Sequence, residues 1–215
     1  MSLFPARARS ALPGGAGRAA AGRARECGRT LARVRTVELL PDGVTDRAVR
    51  EAWRHLAEAG LPSQAGHPHP TNRPHLTLAA GEALPDAVRA RLAEALGLLP
   101  VRIRLEGLVR FPGRRHVLAW AVRPDAVLLR LHEEVWRALA GAPGVGRMNP
   151  LHAPGRWVPH ITLGRGRRGA WDRPDAELLP APLRGPLWGR LVGARSYDSA
   201  TRTTEPLLPG GHRRP

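Results

Sequence analysis

The sequence predicts an α+β fold built as two similar lobes, and three observations indicate it. Stretches with the two-residue alternation of β-strands, such as residues 101–106, are mixed with stretches of helical periodicity, such as residues 45–59. Several strands follow one another through short turns, as at residues 112–115, which favours antiparallel strands over a doubly wound parallel sheet. A Pro-His-x-Thr-Leu strand occurs at residues 74–78 and again at residues 159–163, each time after a helix and a proline-containing loop. We therefore expect a pseudo-two-fold pair of lobes.

The individual elements follow from periodicity and from turn residues. The first helix has Thr45 as its predicted N-cap and Gly60 as its stop. The second begins at Pro85, whose fixed φ suits a first helical turn, and the third begins at Asp125 and ends before Gly141. The predicted strands are residues 34–40, 74–79, 101–106, 116–122, 157–164 and 190–197, and the predicted helices are residues 45–59, 85–98 and 125–140.

Composition divides the chain into three parts. Residues 1–33 consist mainly of Ala, Gly, Arg and Pro without periodicity, so we predict a disordered extension. Residues 34–205 form the predicted folded domain, and residues 206–215 a flexible tail. The single cysteine, Cys27, excludes a disulfide within one chain and a cysteine-based zinc site, which fits a reducing compartment. No run approaches the roughly 20 apolar residues of a membrane span, so we expect a cytoplasmic protein without a membrane partner.

The charge has two explanations that the sequence does not separate. The formal net charge is +16, and all 34 basic residues are Arg, as expected from the codons of a GC-rich genome. Residues 1–35 supply +7 of this charge and the rest of the chain carries +9. Clustered cations also concentrate phosphate-bearing ligands, so a polyanionic substrate is the other explanation.

The repeated strand places chemistry on one face and core residues on the other. Because successive side chains of a strand alternate, His75 and Thr77 share one face, as do His160 and Thr162 in the second copy. If the two strands face each other, two imidazoles and two hydroxyls converge. An imidazole near its ordinary pKa of about 6.5 acts as acid or base at neutral pH, and hydroxyls donate to phosphate oxygens. This set suits phosphoryl transfer without a metal.

Each copy taken alone has a structural explanation. A single His-x-Thr strand is commonly a satisfied core histidine beside a strand-forming threonine. Two copies with the same flanking Pro and Leu, in matching supersecondary units, favour the functional interpretation. Which histidine is the acid and which is the base stays open.

The paired motif resembles the two-histidine (2H) phosphoesterase superfamily, in the branch of bacterial 2′-5′ RNA ligase and RNA 2′,3′-cyclic phosphodiesterase. The resemblance extends over residues 34–205 and includes residues 52–63, 70–73 and 197–202 outside the motifs. It implies a bilobal fold with antiparallel sheets, outer helices and the motif side chains in a central cleft. It also implies that 2′,3′-cyclic phosphates are opened to 2′-phosphates without metal or cofactor, with ligation as the reverse of a related transfer.

Further residues are candidates for substrate contacts. Arg73 and Arg165 flank the two motifs and are candidate phosphate ligands, although most arginines are solvated surface charges. Trp157 and Phe111 are candidates for stacking on a base, whereas Trp120 is expected in the core. The expected partner is an RNA terminus or a small nucleotide, with no obligatory protein partner and a monomeric state.

Two alternatives from other classes remain. One is a nucleotide- or RNA-binding protein that keeps the groove without a physiological reaction. The other is a metal-dependent hydrolase that uses histidines as ligands. The segment His67-Pro68-His69 invites a metal interpretation, but it has no neighbouring Cys, Asp or Glu, so a solvated loop is favoured. We expect no metal and no cofactor.

Overall fold

The computed structural model describes residues 33–208, in which seven strands and four α-helices alternate as an α+β protein. The predicted fold class is confirmed. The strands are β1 (Arg35–Pro41), β2 (Leu76–Gly81), β3 (Val101–Phe111), β4 (His116–Arg123), β5 (His160–Gly166), β6 (Leu187–Asp198) and β7 (Thr203–Pro206). The helices are α1 (Gly43–Glu58), α2 (Asp86–Leu96), α3 (Ala126–Leu139) and the short α4 (Asp175–Leu178), with single 3₁₀ turns at Pro150–His152 and Ala181–Leu183.

All strand pairs are antiparallel and belong to one sheet. Its order is β1-β2-β5-β4-β3-β6-β7, and β1 also pairs with β6, so six strands close into a ring. The long strand β6 makes one seam because its first part pairs with β3 and its second part with β1. The other seam is narrow: β2 and β5 meet at the pair Leu76 and Ile161. The two predicted lobes are therefore joined at two seams, and the second seam lies at the repeated motif.

Helices α1 and α3 begin in the same way after strands β1 and β4. The carboxylate of Asp42 accepts a hydrogen bond from the backbone N–H of Thr45 at 2.8 Å, and Asp125 accepts one from Leu128 at 2.8 Å. The prediction that Thr45 is the cap of α1 is therefore wrong. The helix starts earlier because Asp42 is the better acceptor, and Thr45 is buried in the first turn.

The core lies between the helices and one face of the sheet. Its largest fully buried side chain is Trp120 on β4, which confirms the prediction that this residue packs in the core. The apolar positions of the two motifs also lie there, because Leu76, Leu78, Ile161 and Leu163 are all 0% exposed. Burial of these four side chains fixes the opposite face of β2 and β5 as the one that carries the polar motif residues.

The element boundaries differ from prediction where turn geometry intervenes. Strand β3 continues to Phe111 through a bulge in which Gly107 has φ of 77°, a conformation that interrupts the simple alternation read from sequence. Strand β7 and helix α4 are absent from the predicted elements. Strand β7 reaches Pro206, and Leu207 after it is buried. The predicted extension, including Cys27, and residues 209–215 lie outside the described residues. Within residues 33–208, no helix has the length and apolar character needed to cross a membrane.

Candidate active site

The two motif strands are neighbours in the sheet and bring the four predicted polar side chains together. Around the antiparallel pair of Leu76 and Ile161, the register places each motif histidine opposite the threonine of the other strand. All four side chains are partly exposed on the face opposite the core. We call this surface the motif face, and it is defined by His75, Thr77, His160 and Thr162.

Both histidine rings are held in the same way. Nδ1 of His75 lies 2.7 Å from the carbonyl oxygen of Arg73, and Nδ1 of His160 lies 2.7 Å from that of Val158. Because a carbonyl only accepts hydrogen bonds, Nδ1 carries the hydrogen in each ring. In the neutral form, Nε2 is then the basic atom of both imidazoles. Each motif therefore presents Nε2 as its working nitrogen.

Two tryptophans connect the motif strands to the rest of the fold. The indole of Trp53 on α1 donates a hydrogen bond to the carbonyl of Thr162 at 3.0 Å. The indole of Trp157 donates to the carbonyl of Thr77 at 2.9 Å, and its ring stacks on His132 at 4.0 Å between centroids. One face of Trp157 is thus already covered. Each motif strand is anchored by an indole, which limits movement of its threonine.

A buried ion pair lies beside His75. The carboxylate of Glu38 on β1 is 3.6 Å from Nε2 of His75, and the guanidinium of Arg195 on β6 binds its other oxygen at 2.8 Å. The hydroxyl of Thr36 also donates to Glu38 at 2.8 Å. The side chains of Glu38 and Arg195 are only 4% and 9% exposed, so the carboxylate is fixed next to the imidazole.

His160 lies in a different environment, with no carboxylate against its ring in the described part of the chain. Its ring centroid is 4.5 Å from that of Phe111. Burial lowers the pKa of His160 below its usual value, the Val158 hydrogen bond opposes this in part, and the charges of His75 and Arg165 add smaller lowering effects. A histidine with a lowered pKa is unprotonated at neutral pH, so His160 is suited to accept a proton.

The predicted phosphate ligands lie at the edges of the motif strands. Arg165 follows the second motif on β5, is exposed, and is close enough to lower the pKa of His160. Arg73 precedes the first motif, its side chain is 48% exposed, and its guanidinium is 3.9 Å from Asp46. Arg165 therefore acts electrostatically on a motif histidine, whereas Arg73 has an acidic neighbour.

The loop that carries His67 and His69 is held together by hydrogen bonds within the loop itself. Nδ1 of His69 is 2.8 Å from the hydroxyl of Thr71, and the backbone N–H of His69 approaches Nδ1 of His67 at 3.4 Å. Within the described residues, no three His, Cys, Asp or Glu side chains are grouped so as to hold a metal ion.

Low pH is expected to destabilise the fold through His152, which lies near His160 and His132. Burial, followed by the nearby His160 and His132, lowers the pKa of His152 to about 4 from 6.5. Between these values the unfolded chain binds more protons, so this stability is complete above pH 6.5 and is lost as pH falls toward 4. We expect a loss of about 2 kcal/mol between pH 7.5 and pH 5.

Urea unfolding at the two pH values measures this loss, with His152→Gln as the matched variant. The variant is expected to lose about 2 kcal/mol less than the wild type over the same interval, because Gln does not titrate. Equal pH dependence in both proteins would show that His152 does not contribute.

Three residues of the site are not among the predicted ones: Glu38, Arg195 and Trp53. A signal for Glu38 exists, since a carboxylate in the otherwise apolar run Val37-Glu38-Leu39-Leu40 faces away from the core. Its partner Arg195 is 157 residues away in sequence, and Trp53 is 109 residues from its acceptor. These contacts depend on strand neighbours that a single sequence does not reveal.

Comparison with known families agrees with this arrangement. The sequence model of the 2′-5′ RNA ligase superfamily matches residues 44–184, more than half of the chain. The protein belongs to this superfamily of two-histidine phosphoesterases, as the paired motif predicts. Membership places it among phosphoesterases and ligases. No curated protein matches the chain.

Several solved structures are similar to the chain at low sequence identity. Usb1 of Kluyveromyces marxianus is 11% identical with a TM-score of 0.49, and the match covers 82% of this chain and 98% of that one. LigT of E. coli in its apo form is 19% identical with a TM-score of 0.49, covering 80% and 92%. TT0787 of Thermus thermophilus is 23% identical with a TM-score of 0.47, covering 76% and 86%. Usb1 is also known with uridine monophosphate, and LigT with NADP+.

Proposed function

We propose that this protein is a phosphodiesterase that opens 2′,3′-cyclic phosphates of RNA ends or nucleotides without a metal. The observation that carries the proposal is the pair of imidazoles on the motif face, each with Nδ1 bound to a backbone carbonyl, which leaves Nε2 as the atom for proton transfer. Two proton-transfer groups and two hydroxyls beside one another fit an in-line displacement at phosphorus.

The two histidines have different roles in this proposal. His160, whose pKa is lowered, takes a proton from water through Nε2 as the water oxygen forms its bond to phosphorus. The bond between phosphorus and the 3′-oxygen breaks, and protonated His75 donates a proton from Nε2 to that oxygen. The product is a 2′-phosphate with a free 3′-hydroxyl. Glu38 distinguishes the two histidines, because its carboxylate lies 3.6 Å from Nε2 of His75.

The threonines bind the phosphate during this step. Thr77 and Thr162 donate their hydroxyls to the non-bridging oxygens, and Arg165 adds positive charge at the same edge. The indole bonds from Trp53 and Trp157 hold the two threonine backbones, so the donors are in place before substrate binds. Ligation is the reverse of a related transfer. In it a hydroxyl takes the place of water, and the same histidines and threonines act in forming a 2′-5′ bond.

The test is an assay of EDTA-treated protein on a panel of cyclic and linear phosphodiesters. We expect hydrolysis of uridine 2′,3′-cyclic phosphate to the 2′-monophosphate, identified by chromatography against the 3′-isomer. Activity that disappears with EDTA and returns with zinc would support a metal-dependent hydrolase instead. Binding of uridine monophosphate without hydrolysis of any cyclic phosphate would support a nucleotide-binding protein.

A further inference from the structure

A basic and aromatic patch lies on strands β3, β4 and β6, and we call it the arginine–tryptophan row. Arg104 lies opposite Arg123 on β4 and opposite Trp188 on β6. Arg102 lies opposite Arg190 in the next register position of the same face. Paired positions point to one side of a sheet, as do alternate residues along a strand, so all five side chains share a face.

The arginine–tryptophan row is on the motif face. On β4, Ala121 is paired with His160 of β5, and Arg123 follows two residues later, so Arg123 and His160 point to the same side. Strand β6 is three strand spacings from β5, which puts Trp188 roughly 15 Å from the motif across the sheet. Arg104 on β3 and Arg123 on β4 lie between Trp188 and β5 on this face, so positive charge connects the indole with the motif.

Trp188 is the most exposed large apolar side chain among the described residues, at 66%. The guanidinium of Arg104 lies 5.6 Å from the centroid of its indole, so one part of the ring is oriented while most of its surface stays open. A cavity of about 330 Å³ adjoins the ring and is lined also by Asp42, Val44, Arg102 and Arg190. The carboxylate of Asp42 caps α1 by accepting a hydrogen bond from the backbone N–H of Thr45. The ring thus offers a flat, oriented and accessible stacking surface.

The arginines beside the indole are not all neutralised. Glu106 pairs with Arg104 and with Arg123. Arg102 and Arg190 have no carboxylate at ion-pair distance in the part of the chain that the structure describes. Like charges directly opposite each other on adjacent strands destabilise a sheet, and an anion between them relieves the repulsion. This pair therefore favours a negatively charged ligand.

We propose that the arginine–tryptophan row is a second nucleotide subsite, which binds an unpaired stretch of RNA a few nucleotides from the reactive phosphate. One base stacks on Trp188, and a backbone phosphate lies between Arg102 and Arg190. A single-stranded nucleic acid is the occupant that matches both features, since it presents base faces and phosphates together. The inference rests on the proposed function, because it takes the end of the same strand to be the substrate.

Fluorescence anisotropy of labelled hexauridylate with a 3′-phosphate tests the subsite without requiring turnover. Trp188→Ala is expected to weaken binding about 5- to 100-fold, the effect of losing one stacked base. Trp188→Tyr is the matched control and is expected to retain most of the affinity. Binding of uridine monophosphate, measured by competition, is expected to be the same in all three proteins because it reaches only the motif.

The double variant Arg102→Gln/Arg190→Gln tests the phosphate contact. The slope of log Kd against log salt is expected to fall by about 0.7, the value for one lost phosphate contact on a single strand. Arg54→Gln/Arg91→Gln, which changes two exposed arginines on α1 and α2, is the charge-matched control and is expected to leave the slope unchanged.

Unchanged hexauridylate affinity in Trp188→Ala would overturn the subsite. It would also be overturned if Trp188→Ala changed the oligomeric state, or the binding of an acidic peptide, without changing the affinity for RNA. The probe carries no cyclic phosphate. An inactive wild-type protein that binds hexauridylate through Trp188 would therefore refute the proposed function and leave the subsite standing.

Discussion

Replacement of His160 by alanine is expected to lower kcat for uridine 2′,3′-cyclic phosphate by about 10²- to 10⁴-fold, the usual contribution of a general base or acid. The same range is expected for His75→Ala. Neither change should disturb the fold, because both rings lie partly exposed on the motif face and each hydrogen bond is to the backbone carbonyl two residues earlier in the chain.

Initial rates with EDTA present and a thermal unfolding midpoint for each variant provide the measurement. His116→Ala is the matched control: His116 opens β4, lies opposite Gly166, and is outside the motif. It is expected to keep the wild-type rate. Full activity in both His75→Ala and His160→Ala, with folding intact, would refute the acid–base pair.

Arg195→Ala is expected to have the largest effect on stability. It removes the partner of Glu38, whose side chain is 4% exposed, and leaves a buried carboxylate without its ion pair. Breaking a buried pair in this way costs about 3–5 kcal/mol. The free energy of unfolding, obtained from urea titration at pH 7.5, is the quantity to compare.

The double variant Glu38→Gln/Arg195→Ala separates the charge from the packing. If the cost comes from the uncompensated carboxylate, the double variant is expected to be more stable than Arg195→Ala alone, since Gln carries no charge. Arg54→Ala, at an exposed position on α1, is expected to change stability by less than about 0.5 kcal/mol. An Arg195→Ala protein within about 1 kcal/mol of the wild type would contradict the role given to this pair.

Local patterns in the sequence predict most of the secondary structure. Alternation along residues 101–106 and the Pro-Asp starts of two helices give elements whose positions differ from the observed ones by a few residues. Alternation also assigns the two faces of each motif strand, because Leu76 and Ile161 have to be buried. The prediction that the motif side chains converge needs only that the two strands be neighbours.

The parts of the fold and of the site that the sequence does not predict depend on contacts between distant segments. A single sequence does not reveal that β6 changes partner from β3 to β1, which closes the ring and sets Arg195 against Glu38. The arginine–tryptophan row also depends on the pairing of strands that are distant in sequence. The alternation of Arg102 and Arg104 is visible in sequence, but only the strand register puts Trp188 and Arg190 opposite them. The positive charge of the folded part could not be located before that register was known.

The pH profile of kcat/KM on EDTA-treated protein tests the central claim most directly. An acid–base pair made of His160 and His75 predicts a bell-shaped curve without added metal. Its acid limb is expected below pH 6.5, because the pKa of His160 is lowered, and it should be lost in His160→Ala. A profile without an acid limb, or activity that requires zinc after EDTA treatment, would contradict the claim.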